Sequence, residues 1–287
     1  MADSDLFMKN KKENNHFKTK IMGVINANED SFYQKSRFDD SNVIENIENM
    51  INNGANIIDI GAVSSRPGSK SVPAKTELHR IKSIADLIHT HKLYEKVDFS
   101  IDSYEPLVLN YVLDRGFKIV NDITGLINDE VAKVTSKYEA SLVIMHMQKV
   151  PKNMQDNPHY KDIISEISSF FEQQITKATN FGIKDIILDV GIGFGKTLNH
   201  NLTLLNNLDY FKKFECELLI GASRKSMINE ICTSSIENRL SGTLAIHLES
   251  IKNGASIIRC HDVKEHFQAI KVQEAILTQT KYLDSYE

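Results

Sequence analysis

Four phrases in the chain repeat one design: NNGANIIDI, DRGFKIV, NFGIKDIILD and KNGASIIRC. Each places a glycine at the close of a stretch with helical period and follows it with a short apolar run. Glycine ends helices because, lacking a Cβ, it enters the left-handed conformation that breaks the helical ladder. A short apolar run bounded by such a signal reads as a buried strand. Gly54, Gly116, Gly182 and Gly254 therefore mark helix-to-strand units, and alternation of this kind dictates a parallel sheet.

The same alternation runs through the whole chain. Strands are expected at 21–25, 56–60, 97–101, 117–120, 141–146, 185–189, 217–221 and 256–260. Amphipathic stretches such as 41–53, 74–92, 104–115, 161–181, 239–253 and 262–280 lie between or beyond them. Eight units in 287 residues suit a single α/β domain, a closed (β/α)8 TIM barrel. A doubly wound open sheet is the alternative, but it favours about five to seven strands and a glycine-rich first turn. No low-complexity linker divides the chain, so one barrel domain is expected over 21–287. Residues 1–20, MADSDLFMKNKKENNHFKTK, are polar and lysine-rich and lack the apolar segment of a signal peptide. They read as a loosely ordered tail, with a basic targeting arm as the alternative.

Charge and cysteine usage narrow the function classes. A formal net charge of −4 speaks against nucleic acid as a partner. No apolar run approaches the ~20 residues that cross a bilayer, so no membrane partner is expected. Cys216, Cys232 and Cys260 stand far apart, in neither disulfide nor zinc spacing, which suggests a reducing cytoplasm.

The stretch LDVGIGFGKT, residues 188–197, mimics a nucleotide loop and fails the count. With Lys196 as the loop lysine, a G-x-x-x-x-G-K-[ST] motif needs glycine at 190, where Val190 stands. Gly191, Gly193 and Gly195 are spaced by two throughout, which also breaks G-x-G-x-x-G. The glycines are expected instead to let backbone bend tightly beside a ligand.

Barrels of this kind work at the C-terminal ends of their strands. Those positions hold Asn26, Gly61 with its loop, Asp102, Asn121-Asp122, His146, Asp189, Ser223-Arg224-Lys225, and Arg259 with His261. Acceptors and an amide (Asp102, Asn121, Asp189) come from strands three, four and six, and cations (Lys225, Arg259, His261) from the last two. The first set suits a flat heterocycle with several N–H donors. The second suits an anion, and barrel phosphate sites often lie near strands seven and eight. Asn26 offers a neutral oxygen to Mg²⁺. His146 reads as a packed mouth residue, His89 and His91 as solvent-facing, and Cys260 as pointing away from the mouth between Arg259 and His261.

In order along residues 21–266 stand IMGVINANEDSF, IIDIGAVSSRPGS, SIDS, VNDITG, VIMHMQKVPKNMQ, ILDVGIGFGKT, GASRKSMI, RLSGTLA and RCHDVKE. This succession resembles the dihydropteroate synthases, the folate-pathway enzymes inhibited by sulfonamides. The resemblance implies that 4-aminobenzoate displaces pyrophosphate from 6-hydroxymethyl-7,8-dihydropterin diphosphate, giving 7,8-dihydropteroate, with Mg²⁺ contacted by Asn26. It implies a pterin pocket of Asp102, Asn121 and Asp189, with Lys225 on the pterin ring. Arg259 and His261 match the pair that takes the departing diphosphate, and Arg259 also covers one pterin face. Ser226 matches the serine at the aminobenzoate carboxylate, and Phe194 a pocket-wall aromatic. Ser65, Arg66 and Pro67 match the second mobile loop, and Asp30, Ser31 and Phe32 the tip of the first. A homodimer through the two last helices is also expected, as is common in the family.

The chain departs from the family pattern in its first loop. Ala27, Asn28 and Glu29 replace Val-Thr-Pro, and Tyr33-Gln34-Lys35-Ser36 displace a serine, an aspartate and paired glycines. Val190 replaces a proline, Val63 and Ser64 stand where Glu and Ser are common, and Ser65 replaces a threonine. These changes gather at the aminobenzoate end, so altered turnover or sulfonamide binding is expected. Two other functions share parts of the pattern. A corrinoid-linked pterin methyltransferase would use the Asp-Asn-Asp pocket without needing Asn26, Lys225, Arg259 and His261 arranged for a diphosphate. A noncatalytic pterin-binding paralogue would bind pterin without releasing pyrophosphate.

Overall fold

The structure, a computed structural model, describes residues 19–27, 40–64, 72–149 and 153–277. The expectations for most of the tail, for the first-loop tip at Asp30, Ser31 and Phe32, and for Ser65, Arg66 and Pro67 lie outside the described residues.

Among the described residues the strands are β1 (Lys20–Asn26), β2 (Ile57–Gly61), β3 (Asp98–Asp102), β4 (Ile119–Asp122), β5 (Ser141–Met145), β6 (Ile186–Asp189), β7 (Glu217–Ile220) and β8 (Ile257–Cys260). Each pairs in parallel with its sequence neighbour, and β1 closes on β8 through Ile21↔Ile258 and Met22↔Arg259. The sheet is a closed barrel in chain order, so the open-sheet alternative falls. The helices are α1 (Asp40–Asn52), α2 (Ala74–Thr90), α3 (Pro106–Leu113), α4 (Asp129–Lys137), α5 (Ile163–Asn180), α6 (Leu198–Asn206), α7 (Ser226–Ile231), α8 (Leu240–Lys252) and α9 (Val263–Leu277). Gly54, Gly116, Gly182 and Gly254 all adopt positive φ just past helix ends, as the repeated phrases require. The short helices α4, α6 and α7 are not among the stretches named from periodicity.

Two cores hold the fold together. Apolar helix faces pack on the outside of the barrel, with Ile47, Ile81, Ile88, Leu109 and Phe171 fully buried against it. Inside the barrel lies a separate plug of Met22, Ile57, Ile119, Val143, Ile187, Leu219 and Ile257. Side chains two residues apart on a strand share a face. The residues two positions beyond the plug therefore also point inward, one layer nearer the mouth. On β2, β4, β6 and β8 those residues are Asp59, Asn121, Asp189 and Arg259. An apolar floor thus carries a polar layer, and the strand period builds both from one pattern.

Candidate active site

The polar layer is organised around one guanidinium. Arg259 Nε donates to Asp59 Oδ2 at 2.7 Å, and its Nη2 donates to Asp102 Oδ2 at 2.9 Å. Asn121 Nδ2 donates to the same Asp59 oxygen at 3.1 Å. Gly61 stands at the end of β2 beside Asp102, where an added Cβ would lie 3.3 Å from the aspartate Cβ. Burial pushes the Asp102 carboxyl up to about 7, with the Asp59 charge adding to the rise and Arg259 opposing it. The two carboxylates raise the already high pKa of Arg259, so its cation is permanent.

On the opposite wall Asp189 ends β6, almost fully buried, and accepts the backbone N–H of Gly191 at 2.7 Å. Burial raises its pKa, against the lowering fields of Lys225, Lys196 and Arg259. The glycine run then folds over itself. Gly191, Gly193 and Gly195 have φ of 68°, 81° and 61°. A Cβ on Gly191 would come within 2.0 Å of the His146 carbonyl oxygen, so this position excludes any side chain. The loop is pinned from outside: Gly193 N–H donates to Asn201 Oδ1 at 2.8 Å, Tyr160 Oη donates to the Gly195 carbonyl at 2.9 Å, and Thr197 caps α6.

Lys196 is buried behind this wall. Its Nζ lies 2.9 Å from the Phe194 carbonyl, 3.2 Å from the His146 carbonyl and 3.1 Å from His146 Nδ1. Burial brings its pKa down to about 7, while Asp189 supports the charged form. His146 is held uncharged by burial and by the nearby lysine, which makes its ring a hydrogen-bond acceptor at Nδ1. The reading of His146 as a packed residue holds: it lies one position past β5 and is mostly enclosed.

Lys225 precedes α7 and reaches into the mouth. Its ammonium donates to the Ile192 carbonyl and sits 4.4 Å from the centre of the half-buried Phe194 ring. Burial brings Lys225 down to about 8, with Asp189 and Asp102 favouring its charge and Arg259 opposing it. Beyond it, Ser223 Oγ lies 2.9 Å from Nδ1 of the exposed His261 and accepts the His261 backbone N–H at 3.3 Å. Cys260, between the two cations, is fully buried among the outer core residues, as expected. Ser226 opens α7 with an exposed side chain, and Asn26 ends β1 exposed at the rim.

The structure thus brings Asp102, Asn121, Asp189, Phe194, Lys225 and Arg259 to one mouth, with Asn26, Ser226 and His261 at its edge. Two strand-end neighbours turn elsewhere. Arg224 forks onto Asp262 at 2.6 and 3.0 Å, and Asp122 accepts from Thr124 and Leu126 in its own turn. Sequence reasoning missed Asp59, which is fully buried and anchors the guanidinium. Its signal was an acid in the middle of an otherwise apolar strand, IIDIG, where an unpartnered carboxylate is not tolerated.

Known proteins resemble this chain in sequence and fold. Residues 22–261 match the family described as pterin binding enzyme. A bifunctional dihydropteroate synthase/dihydropteroate reductase of Helicobacter pylori is 42% identical over 256 residues, covering 89% of this chain and 67% of that protein. The dihydropteroate synthase of Escherichia coli is 37% identical over 261 residues, covering 90% of this chain and 92% of that protein. A crystal structure of Yersinia pestis dihydropteroate synthase with a sulfonamide drug complex superposes with a TM-score of 0.84 at 33% identity, covering 91% of this chain and 94% of the other.

Proposed function

The chain belongs to the dihydropteroate synthase family of pterin-binding enzymes, and from that premise we propose how its barrel mouth carries out the family's transfer. The enzyme is a transferase in which 4-aminobenzoate displaces pyrophosphate from 6-hydroxymethyl-7,8-dihydropterin diphosphate to give 7,8-dihydropteroate. The reaction makes two demands. An amino-pyrimidinone must be held by its N–H edge, and a departing diphosphate must be stabilised.

Asp102, Asn121 and Asp189 meet the first demand by presenting carboxylate and amide oxygens above an apolar floor. Lys225, Arg259 and His261 meet the second. Arg259 has Nε and Nη2 committed to Asp59 and Asp102, which fixes the fork and leaves its Nη1 side for an anion. The methylene carbon–oxygen bond breaks first, and its electron pair leaves with the diphosphate. Positive charge left on the methylene spreads into the electron-rich dihydropterin, and Asp102 and Asp189 stabilise it. The aniline nitrogen then bonds to the carbon and loses a proton to solvent. That nitrogen is unprotonated at neutral pH, so no strong base is needed. Removing one of these charge contacts costs about 3 kcal/mol in the barrier, roughly a hundredfold in rate.

Asn26 suits Mg²⁺ as a neutral oxygen donor beside a diphosphate, because Mg²⁺ keeps several waters and binds phosphate oxygens. Among the described residues no group of three His, Cys, Asp or Glu side chains could hold a metal ion, so Asn26 and the substrate would share the task. The ion, when bound, supplies neutralisation of diphosphate charge. At the other end Ser226 receives the aminobenzoate carboxylate and Phe194 walls its ring. Ser65, Arg66 and Pro67 complete that end on this reading. Val272 and Ile276 are exposed one turn apart on α9, which supports a homodimer through the last helices. The free cysteines fit activity in the cytoplasm.

One observation carries the mechanism: a guanidinium fixed between Asp59 and Asp102 in the same mouth as Lys225 and Asp189. The test is a synthase assay with Mg²⁺ and both substrates, run on wild type and Lys225→Ala. Pyrophosphate release is expected from the wild type and a loss of about a hundredfold from the variant. Pterin binding with no pyrophosphate release would instead identify a binding module.

A further inference from the structure

Behind the loops that present the cations lies a pair of histidines that the chemistry above does not use. His247 on α8 and His266 on α9 are each 1% exposed. The backbone N–H of Ala222, just past β7, donates to His247 Nε2 at 3.0 Å. A backbone amide only donates, so this nitrogen carries a lone pair and the His247 proton sits on Nδ1. That Nδ1 stands 2.8 Å from His266 Nε2, which must therefore accept. The His266 proton is then on Nδ1, 2.6 Å from the carbonyl of Asp262, which only accepts. Backbone groups at both ends fix the direction of the chain, and burial keeps both rings uncharged.

What the chain connects is informative. Ala222 begins the turn that carries Ser223, Arg224 and Lys225. Asp262 follows Arg259 and His261. One turn before His247 on α8, Thr243 Oγ1 accepts the backbone N–H of Arg224 at 3.0 Å. The Asp262 carboxylate holds the Arg224 guanidinium, while the Asp262 carbonyl receives His266. The two cation-bearing loops are thus tied to each other and to the two last helices from behind. Every link ends on loop backbone or on Arg224, and none enters the mouth.

We propose that His247 and His266 are positioning residues: a proton-ordered imidazole pair that sets the spacing between the loops after β7 and β8, and so the affinity for the diphosphate group. This rests on the reading that those loops receive the diphosphate. The pair supplies the Ala222 amide with an acceptor where no water reaches, and it gives the Asp262 carbonyl a second, side-chain donor beside the His266 backbone N–H at 3.1 Å. Loss of either lets its loop drift relative to the other.

The test uses the full chain and inorganic pyrophosphate with Mg²⁺ as calorimetric probe, beside initial-rate kinetics. His247→Leu removes the acceptor for Ala222, whereas His247→Gln places an amide oxygen where Nε2 stood. His247→Leu is expected to weaken pyrophosphate binding and raise KM for the pterin diphosphate about tenfold, with KM for 4-aminobenzoate unchanged. His247→Gln is expected to restore most of the loss. His266→Leu, which leaves the Ala222 acceptor in place, reads the other end and serves if His247→Leu does not fold; it should weaken pyrophosphate about threefold or more. Wild-type pyrophosphate affinity in cooperatively folding His247→Leu or His266→Leu overturns the proposal, as does an equal rise in both KM values. Arg259→Ala separates the failures. If it weakens pyrophosphate and the histidine variants do not, only the positioning role falls. If it too leaves binding intact, the diphosphate reading falls.

Discussion

Asp59→Asn separates charge from geometry at the centre of the site. Asp59 Oδ2 accepts from both Arg259 Nε and Asn121 Nδ2, while its Oδ1 is buried and meets no donor among the described residues. An asparagine with its oxygen at the Oδ2 position keeps both hydrogen bonds and places its NH2 where Oδ1 had no partner. Only the negative charge is lost. Hydrogen bonds to charged groups are worth about 1.5–3 kcal/mol against about 0.5–1.5 for neutral ones, so the variant loses about 1–2 kcal/mol of stability. Asp59→Leu, which strands a buried guanidinium N–H and an amide, should lose about 3–5 kcal/mol. The kinetic consequence follows from the sign of the lost charge. The mouth becomes more positive, which favours the diphosphate in the ground state and disfavours the developing methylene cation. KM for the pterin diphosphate should therefore hold or fall, while kcat drops about tenfold, the equivalent of 1.4 kcal/mol. Urea unfolding and steady-state kinetics with the pterin diphosphate as varied substrate measure both. A raised KM with kcat unchanged would refute the reasoning, because it would make Asp59 a simple binding contact.

Three further outcomes are expected. Lys225 loses its charge as pH rises through about 8, so kcat/KM for the pterin diphosphate should fall along a basic limb near that value. Lys225→Arg, charged throughout, should abolish that limb at lower overall activity, and a limb that survives the substitution would exclude Lys225 as its source. Burial depresses Lys196 to about 7 from 10.5, so the unfolded chain binds more protons between those values and stability should rise with pH across the window. Lys196→Met should flatten that rise in urea melts at pH 7.5 and 9.5 (about two pH units apart); an unchanged slope counts against a depressed lysine. Gly191→Ala forces a Cβ to 2.0 Å from the His146 carbonyl at φ 68°, which should destabilise by about 3 kcal/mol in chemical unfolding. A loss below about 1 kcal/mol would show that the loop relaxes freely.

The architecture was legible because barrel strands obey local rules. Glycine closures and apolar runs announce each unit without reference to any other, and the positions of Gly54, Gly116, Gly182 and Gly254 carried over unchanged. The short helices α4, α6 and α7 were less visible: a stretch such as DEVAKVTSK is amphipathic but only nine residues long, too short for its period to stand out, and its cap at Asn128 is a single residue. The mouth residues were legible to the extent that they end strands. Asp59 sits one layer deeper, and its partner Arg259 is 200 residues away, brought near only when β8 closes on β1. Lys196 was read as no nucleotide lysine, and its burial against His146 depends on how the glycines fold. The His247–His266 contact crosses two helices at a separation that no helical period encodes.

The central claim is that acidic and amide groups from β3, β4 and β6 meet cations from β7 and β8 around one ligand. A crystal structure with 6-hydroxymethylpterin and pyrophosphate tests it most directly. The pterin N–H edge is expected against Asp102, Asn121 and Asp189, and pyrophosphate against Lys225, Arg259 and His261 in the same mouth. Pterin bound away from Asp189, or pyrophosphate bound away from Arg259, would contradict it.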